Sequence, residues 1–198
     1  WGEYDGGILC VNTNQANDDN ERLKKTGNRV QNNVSYSTNQ PGSSIKPISV
    51  YAPALENNLI TYGSVLKDEP LPNYFDDGSE GPHNFDGTFA GTVNVDQAIT
   101  ESLNAPVAQL INQMSPLVSY QFLTQNLHIT SLSEEDSYNV GGVAIGGLTN
   151  GISVREMTGA DQIFGNGGKY YTPYTVYRIE DNDGNVIYDY QQNHSEEQ

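Results

Sequence analysis

The 198 residues hold 25 acidic side chains against 9 lysines and arginines, a formal net charge of -16 at pH 7. A chain this acidic repels phosphate backbones and anionic headgroups, which excludes nucleic acid and acidic membrane surfaces as partners. The length suffices for one domain with a sizeable core although only 35% of the residues are apolar, and Cys10 stands alone, so no internal disulfide forms.

No apolar run approaches the roughly 20 residues of a membrane-spanning helix. The opening Trp1-Gly2-Glu3-Tyr4 has neither methionine nor signal peptide, so a soluble piece of a longer protein is expected. Residues 12–39 are rich in Asn, Asp, Ser and Thr and read as loop, with a short helix over 20–25. The Pro41-Gly42 turn marks a boundary between a polar, loop-rich segment over 1–39 and the domain over 40–198.

From Ser43 to about Asn57 the apolar residues Ile45, Ile48, Ala52 and Leu55 follow a helical spacing. Pro47 is tolerable in the first turn, and Pro53 is expected to kink or end the helix. Residues 61–91 read mostly as loop, and their Tyr74, Phe75, Phe85 and Phe89 either line a groove or pin the loop down. Helices are predicted over 95–103, from Asn104-Ala105-Pro106 onward through Met114, and over 116–127 behind a Ser115 cap.

Residues 140–147 form a glycine-rich connector that lacks the Gly-Lys-Ser/Thr of a phosphate loop, so its glycines point to close backbone packing. Ser153-Val154-Arg155-Glu156 is a capping box, opening a helix that stops at Gly165-Asn166-Gly167-Gly168. Residues 170–179 and 186–190 flank Asp181-Asn182-Asp183-Gly184 as a β-hairpin. That turn has the wrong register for a calcium loop, and His83, His128 and His194 lack metal-ligand spacing, so neither metal nor other cofactor is expected.

The chemistry concentrates at Gln40-Pro41-Gly42-Ser43-Ser44-Ile45-Lys46-Pro47. Ser43 and Lys46 lie three apart at the start of a helix, on one face, where a desolvated lysine can take the serine proton. The helix N-terminus favours the negative charge that then develops. Ser-x-x-Lys is cheap by itself, and Ser64-Val65-Leu66-Lys67 matches it too, but that copy precedes an extended stretch around Pro70 and Pro72. Serine-lysine acyl transfer also needs a second hydroxyl and an amide, and Ser102-Leu103-Asn104 offers both at a junction between helices. Ser37-Thr38-Asn39 and Ser137-Tyr138-Asn139 share the pattern without the junction.

These motifs resemble the transpeptidase domain of class A penicillin-binding proteins, the bifunctional cell-wall synthases, in the wording of Gram-positive bacteria. The likeness runs from the Ser43 motif through Tyr51-Ala52-Pro53-Ala54-Leu55, Lys67-Asp68-Glu69-Pro70 and residues 98–107 to Gly146-Gly147-Leu148-Thr149-Asn150-Gly151 and residues 164–171. It covers roughly residues 36–190. The resemblance implies an α+β fold, the helical part of the β-lactamase/transpeptidase-like fold with a C-terminal β-hairpin and an incomplete central sheet.

It also implies that Ser43 attacks a stem peptide ending in D-Ala-D-Ala, or a β-lactam, with Lys46 as general base. Ser102 would relay the proton, Asn104 would orient Lys46 or the substrate, and the Ser43 N–H would form half of an oxyanion hole. The implied location is the extracellular face of the cytoplasmic membrane, on a protein anchored outside these residues. The family's Lys-Thr-Gly strand follows the hairpin, whereas here Lys25-Thr26-Gly27 precedes Ser43 and is a decoy. A piece lacking that strand is expected to be inactive or weakly active. The alternatives are a non-catalytic cell-surface module of the same fold, or a serine β-lactamase or carboxypeptidase, which the wording around residues 149–151 and 165–171 disfavours.

Overall fold

The computed structural model describes residues 37–75, 77–174 and 176–193, so Lys25-Thr26-Gly27, His194 and the helix expected over 20–25 lie outside the described residues. Two compact units divide them, one spanning Asn39–Ile152 and one containing the described residues from Ser153 onward.

In the first unit the chain winds from Gly42 to Glu56 in three pitches: a 3-10 turn over Gly42–Ile45, a π turn over Pro47–Tyr51, and α1 over Ala52–Glu56. Pro53 does not end this helix, one of the two outcomes expected of it, and stands just after the π turn gives way to α1. It sits in the first turn of α1, where a missing N–H matters least. Having no N–H for the Ser49 carbonyl four residues back, it leaves that oxygen to accept the Ser119 hydroxyl at 2.5 Å. Ile45, Ile48, Val50 and Ala54 are fully buried, so the helix runs through the core.

Residues 61–91 carry more order than loop composition suggests. Strand β1 (Val65–Asp68) pairs antiparallel with β2 (Gly91–Asn94), Leu66 opposite Val93, and Leu71 bridges Gly81. Leu66 and Asp68 point inward while Val65 and Lys67 face solvent. Tyr74 and Phe75 meet edge to face with ring centroids 5.0 Å apart and pack over Gly81, so these two aromatics pin the loop, whereas Phe85 is wholly exposed.

Asn94 caps α2 (Val95–Thr100) by accepting the Gln97 N–H. After Ser102 comes α3 (Asn104–Met114), whose Ala105, Val107, Ala108 and Ile111 are fully buried. Ser115 caps α4 (Pro116–Gln121), which continues as a π turn over Phe122–Asn126. The glycine-rich connector contains a helix, α5 (Val140–Ile145), which packs against α3 and ends at Gly146 in the left-handed region, φ 80°.

The second unit opens with the capping box of Ser153 and Glu156 on α6 (Val154–Asp161), followed by a 3-10 turn over Gln162–Phe164. The hairpin is shorter than expected: β3 (Arg178–Glu180) pairs with β4 (Val186–Asp189) across a register shift, and Tyr190 already belongs to α7 (Tyr190–Asn193). Tyr190 stacks on Tyr174 with centroids 3.9 Å apart. The chain is thus α+β, with small sheets and a hairpin near its end.

Gly146 has a structural task. A methyl there would overlap the Gly42 backbone, and the Gly42 N–H donates to the Gly146 carbonyl at 3.4 Å. Gly146→Ala is expected to lower stability by about 2 kcal/mol or more, because overpacking adds to left-handed strain. Equilibrium denaturation of the two proteins measures the difference.

Candidate active site

Ser43 stands exposed in the 3-10 turn, and the Lys46 N–H donates to its carbonyl. Residues i and i+3 eclipse at this pitch, so the Ser43 and Lys46 side chains leave the helix along one edge. The neighbouring Ser44 hydroxyl is committed to the turn, donating to the Pro41 carbonyl at 2.7 Å. The Ser43 N–H belongs to a first turn, where amides have no acceptor within the helix.

Lys46 lies only 3% exposed, with its ammonium among four acceptors. They are the Ser102 carbonyl at 2.6 Å, the Ser102 hydroxyl at 3.2 Å, the Leu103 carbonyl at 3.2 Å and Asn104 Oδ1 at 2.7 Å. Among the described residues no carboxylate lies within ion-pair distance of it, and no hydrogen bond joins it to the Ser43 hydroxyl. Burial pushes its pKa down from 10.5 to about 8. Relative to an exposed lysine, roughly 300-fold more of it is neutral near pH 7.

Ser102 sits between α2 and α3 at φ 54°, a left-handed conformation rare outside glycine. This reversal places the carbonyls of Ser102 and Leu103 and the Ser102 hydroxyl around one cation. Asn104, the first residue of α3, is held on two sides: its N–H donates to Asn84 Oδ1 and its Nδ2 to the His83 carbonyl, both at 2.7 Å.

The structure therefore brings Lys46, Ser102 and Asn104 into direct contact and sets Ser43 one helical step from Lys46. The second Ser-x-x-Lys copy falls apart: the Ser64 hydroxyl accepts the Thr61 N–H at 2.9 Å, and Lys67 points into solvent near Glu69. Asn139, in the spare Ser-x-Asn copy, caps α5 through the Gly142 N–H. Sequence reasoning missed His83, Asn84 and Asp68. Asn84 bonds Asp68, and no motif marks either residue for this site.

The profile of the penicillin binding protein transpeptidase domain matches residues 3–198, extending on both sides of the stretch that carries the motifs, and the chain belongs to that family. Within it, the likeness is to class A proteins. Penicillin-binding protein 1F of Bacillus subtilis is 34% identical over 153 residues, 77% of this chain and 20% of that protein. Penicillin-binding protein 1A of Clostridium acetobutylicum is 33% identical over 152 residues, 74% of this chain and 18% of that protein. The chain thus spans about a fifth of the length of these curated relatives. The solved structure of the penicillin-binding protein PonA1 from Mycobacterium tuberculosis superposes with a TM-score of 0.68 at 25% identity, covering 82% of this chain and 43% of that one.

A lysine that titrates lower when folded than when unfolded makes the unfolded chain bind more protons between about pH 8 and 10.5. Lys46 therefore weakens the fold below pH 8, and the penalty fades as pH rises through that window. The unfolding free energy of the native protein relative to Lys46→Met is expected to climb from pH 8 to 10.5. A flat difference would contradict the burial assigned to Lys46.

Proposed function

We propose that this chain carries the acylation site of a serine D,D-transpeptidase that cross-links peptidoglycan stem peptides and is acylated by β-lactams. The observation that supports it most is the close contact of the buried Lys46 ammonium with Ser102 and Asn104, one turn from an exposed serine. Ser43 Oγ attacks the penultimate D-alanine carbonyl as Lys46, in its neutral form, takes the hydroxyl proton. The Ser43 N–H donates to the oxyanion. Ser102 passes the proton toward the departing nitrogen, the peptide C–N bond breaks, and terminal D-alanine leaves while its partner remains as an ester on Ser43. An amine of a second stem peptide then takes the acyl group and regenerates the serine.

A β-lactam enters by the same attack, its ring C–N bond breaking in place of the peptide bond. PonA1 has been solved in complex with penicillin V, which supports this reading for a 25% identical relative. The natural setting is the outer face of the cytoplasmic membrane. Among the described residues no helix is long and apolar enough to cross a bilayer, so attachment would come from elsewhere in the protein.

A fluorescent penicillin tests the proposal. The full-length protein is expected to be labelled, Ser43→Ala to abolish labelling and Ser64→Ala to preserve it. Labelling that survives Ser43→Ala would overturn the assignment and favour a binding or scaffolding role for this fold. No Lys-Thr-Gly follows Ser43 within the 198 residues, so the isolated chain lacks that motif downstream of its serine. Its labelling is expected to be slower by about 100 to 1000-fold, the usual consequence of losing one oxyanion donor alone.

A further inference from the structure

Behind the Lys46 cluster lies a second polar group that the acylation chemistry does not use. Asp68, the last residue of β1, is completely buried and has no cation within ion-pair distance among the described residues. Its carboxylate accepts the Ala90 N–H at 2.8 Å and takes Asn84 Nδ2 on both oxygens at 2.9 Å. Asn84 Nδ2 also donates to the Thr88 carbonyl at 2.9 Å. Asn84 Oδ1 accepts the N–H of Asn104 at 2.7 Å.

The donor and acceptor inventory makes this arrangement directional. A carboxylate and a carbonyl only accept, so the Asn84 face toward Asp68 and Thr88 must be its NH₂ group, and its oxygen must face Asn104. That oxygen supplies α3 with the N-terminal cap that Leu103 cannot give. The His83 carbonyl, one residue away, applies the same rule to the Asn104 side chain: Nδ2 turns to His83 and Oδ1 turns to Lys46. A neutral amide at position 68 would fill the same space, but it could present either a donor or an acceptor. The buried charge removes that choice, and burying a charge is unfavourable enough to require a return.

We infer that Asp68 and Asn84 are positioning residues, which act through the backbone and side chain of Asn104 to hold Lys46 against Ser102. Neither touches the reacting atoms. The inference rests on the acylation reading above.

The test is the second-order rate of acylation by a fluorescent penicillin between pH 6 and 11, in the full-length protein, for native, Asn84→Ser, Asp68→Asn and Asn84→Asp. Asn84→Ser leaves Asp68 its Ala90 N–H but withdraws the acceptor from Asn104. It is expected to acylate about 10-fold more slowly, the order expected for one unsatisfied buried donor. Its half-maximal rate should shift above the native midpoint near pH 8, because a loosened Lys46 regains water. Asp68→Asn and Asn84→Asp should each lose about as much, because each withdraws one partner from the Asp68–Asn84 pair.

A native rate and midpoint in Asn84→Ser would overturn the inference, as would native values in Asp68→Asn. Thermal melts identify which variants fold. If Asn84→Ser does not fold, the rate and midpoint of Asp68→Asn decide. If native protein fails to label, or labels without Ser43, the acylation reading itself falls; native labelling that needs Ser43 but ignores Asn84 sinks only the positioning role.

Discussion

The site depends on keeping one ammonium out of water while leaving its proton removable. Among the described residues Lys46 gains four acceptors but no carboxylate, which is a narrow balance. A paired carboxylate would raise its pKa and lock the proton in place, and an apolar pocket would leave a charge without partners. Neutral oxygens from Ser102, Leu103 and Asn104 solvate the charged form well enough to fold and poorly enough to titrate near pH 8.

Much of the first unit can be understood as support for that balance. The Gly42–Ile45 segment keeps the 3-10 pitch that aligns Ser43 with Lys46, and Gly146 lets α5 approach Gly42 more closely than any side chain allows. Pro53 frees the Ser49 carbonyl for Ser119, tying the same helix to α4 through a buried hydrogen bond. Asp136, fully buried, accepts the Ser133 N–H and both the N–H and hydroxyl of Thr149, which fixes the stretch following Gly146 to the turn before α5. The turn that carries Ser43 is therefore held by polar bonds of defined direction as well as by apolar packing.

The Ser153 capping box, the Ser115 cap, the helical apolar spacing and the hairpin turn were legible in the sequence because each is decided within a few residues. The two short strands were not: β1 and β2 have four residues each, too few for alternation to stand out from a loop rich in Gly, Pro and Asp. The helix at Val140–Ile145 was obscured by its own glycines, since propensity counts against it and only burial between neighbours supplies the compensation. Which effect Pro53 would have on the helix was not legible, because the carbonyl it leaves open finds its partner in Ser119, distant in the chain.

By itself the sequence placed Ser43 one turn of backbone from Lys46 and set Ser102 and Asn104 at a helix junction, because each pair is linked within a few residues. It left undecided which copy of each motif the fold would assemble. Only the tertiary structure separated them, burying Lys46 while leaving Lys67 in solvent and closing Asn104 onto Lys46 across 58 residues. The same holds for Asp68 and Asn84: hydrogen-bond direction is a property of neighbours in space, and these neighbours lie 16 to 22 residues apart in the chain.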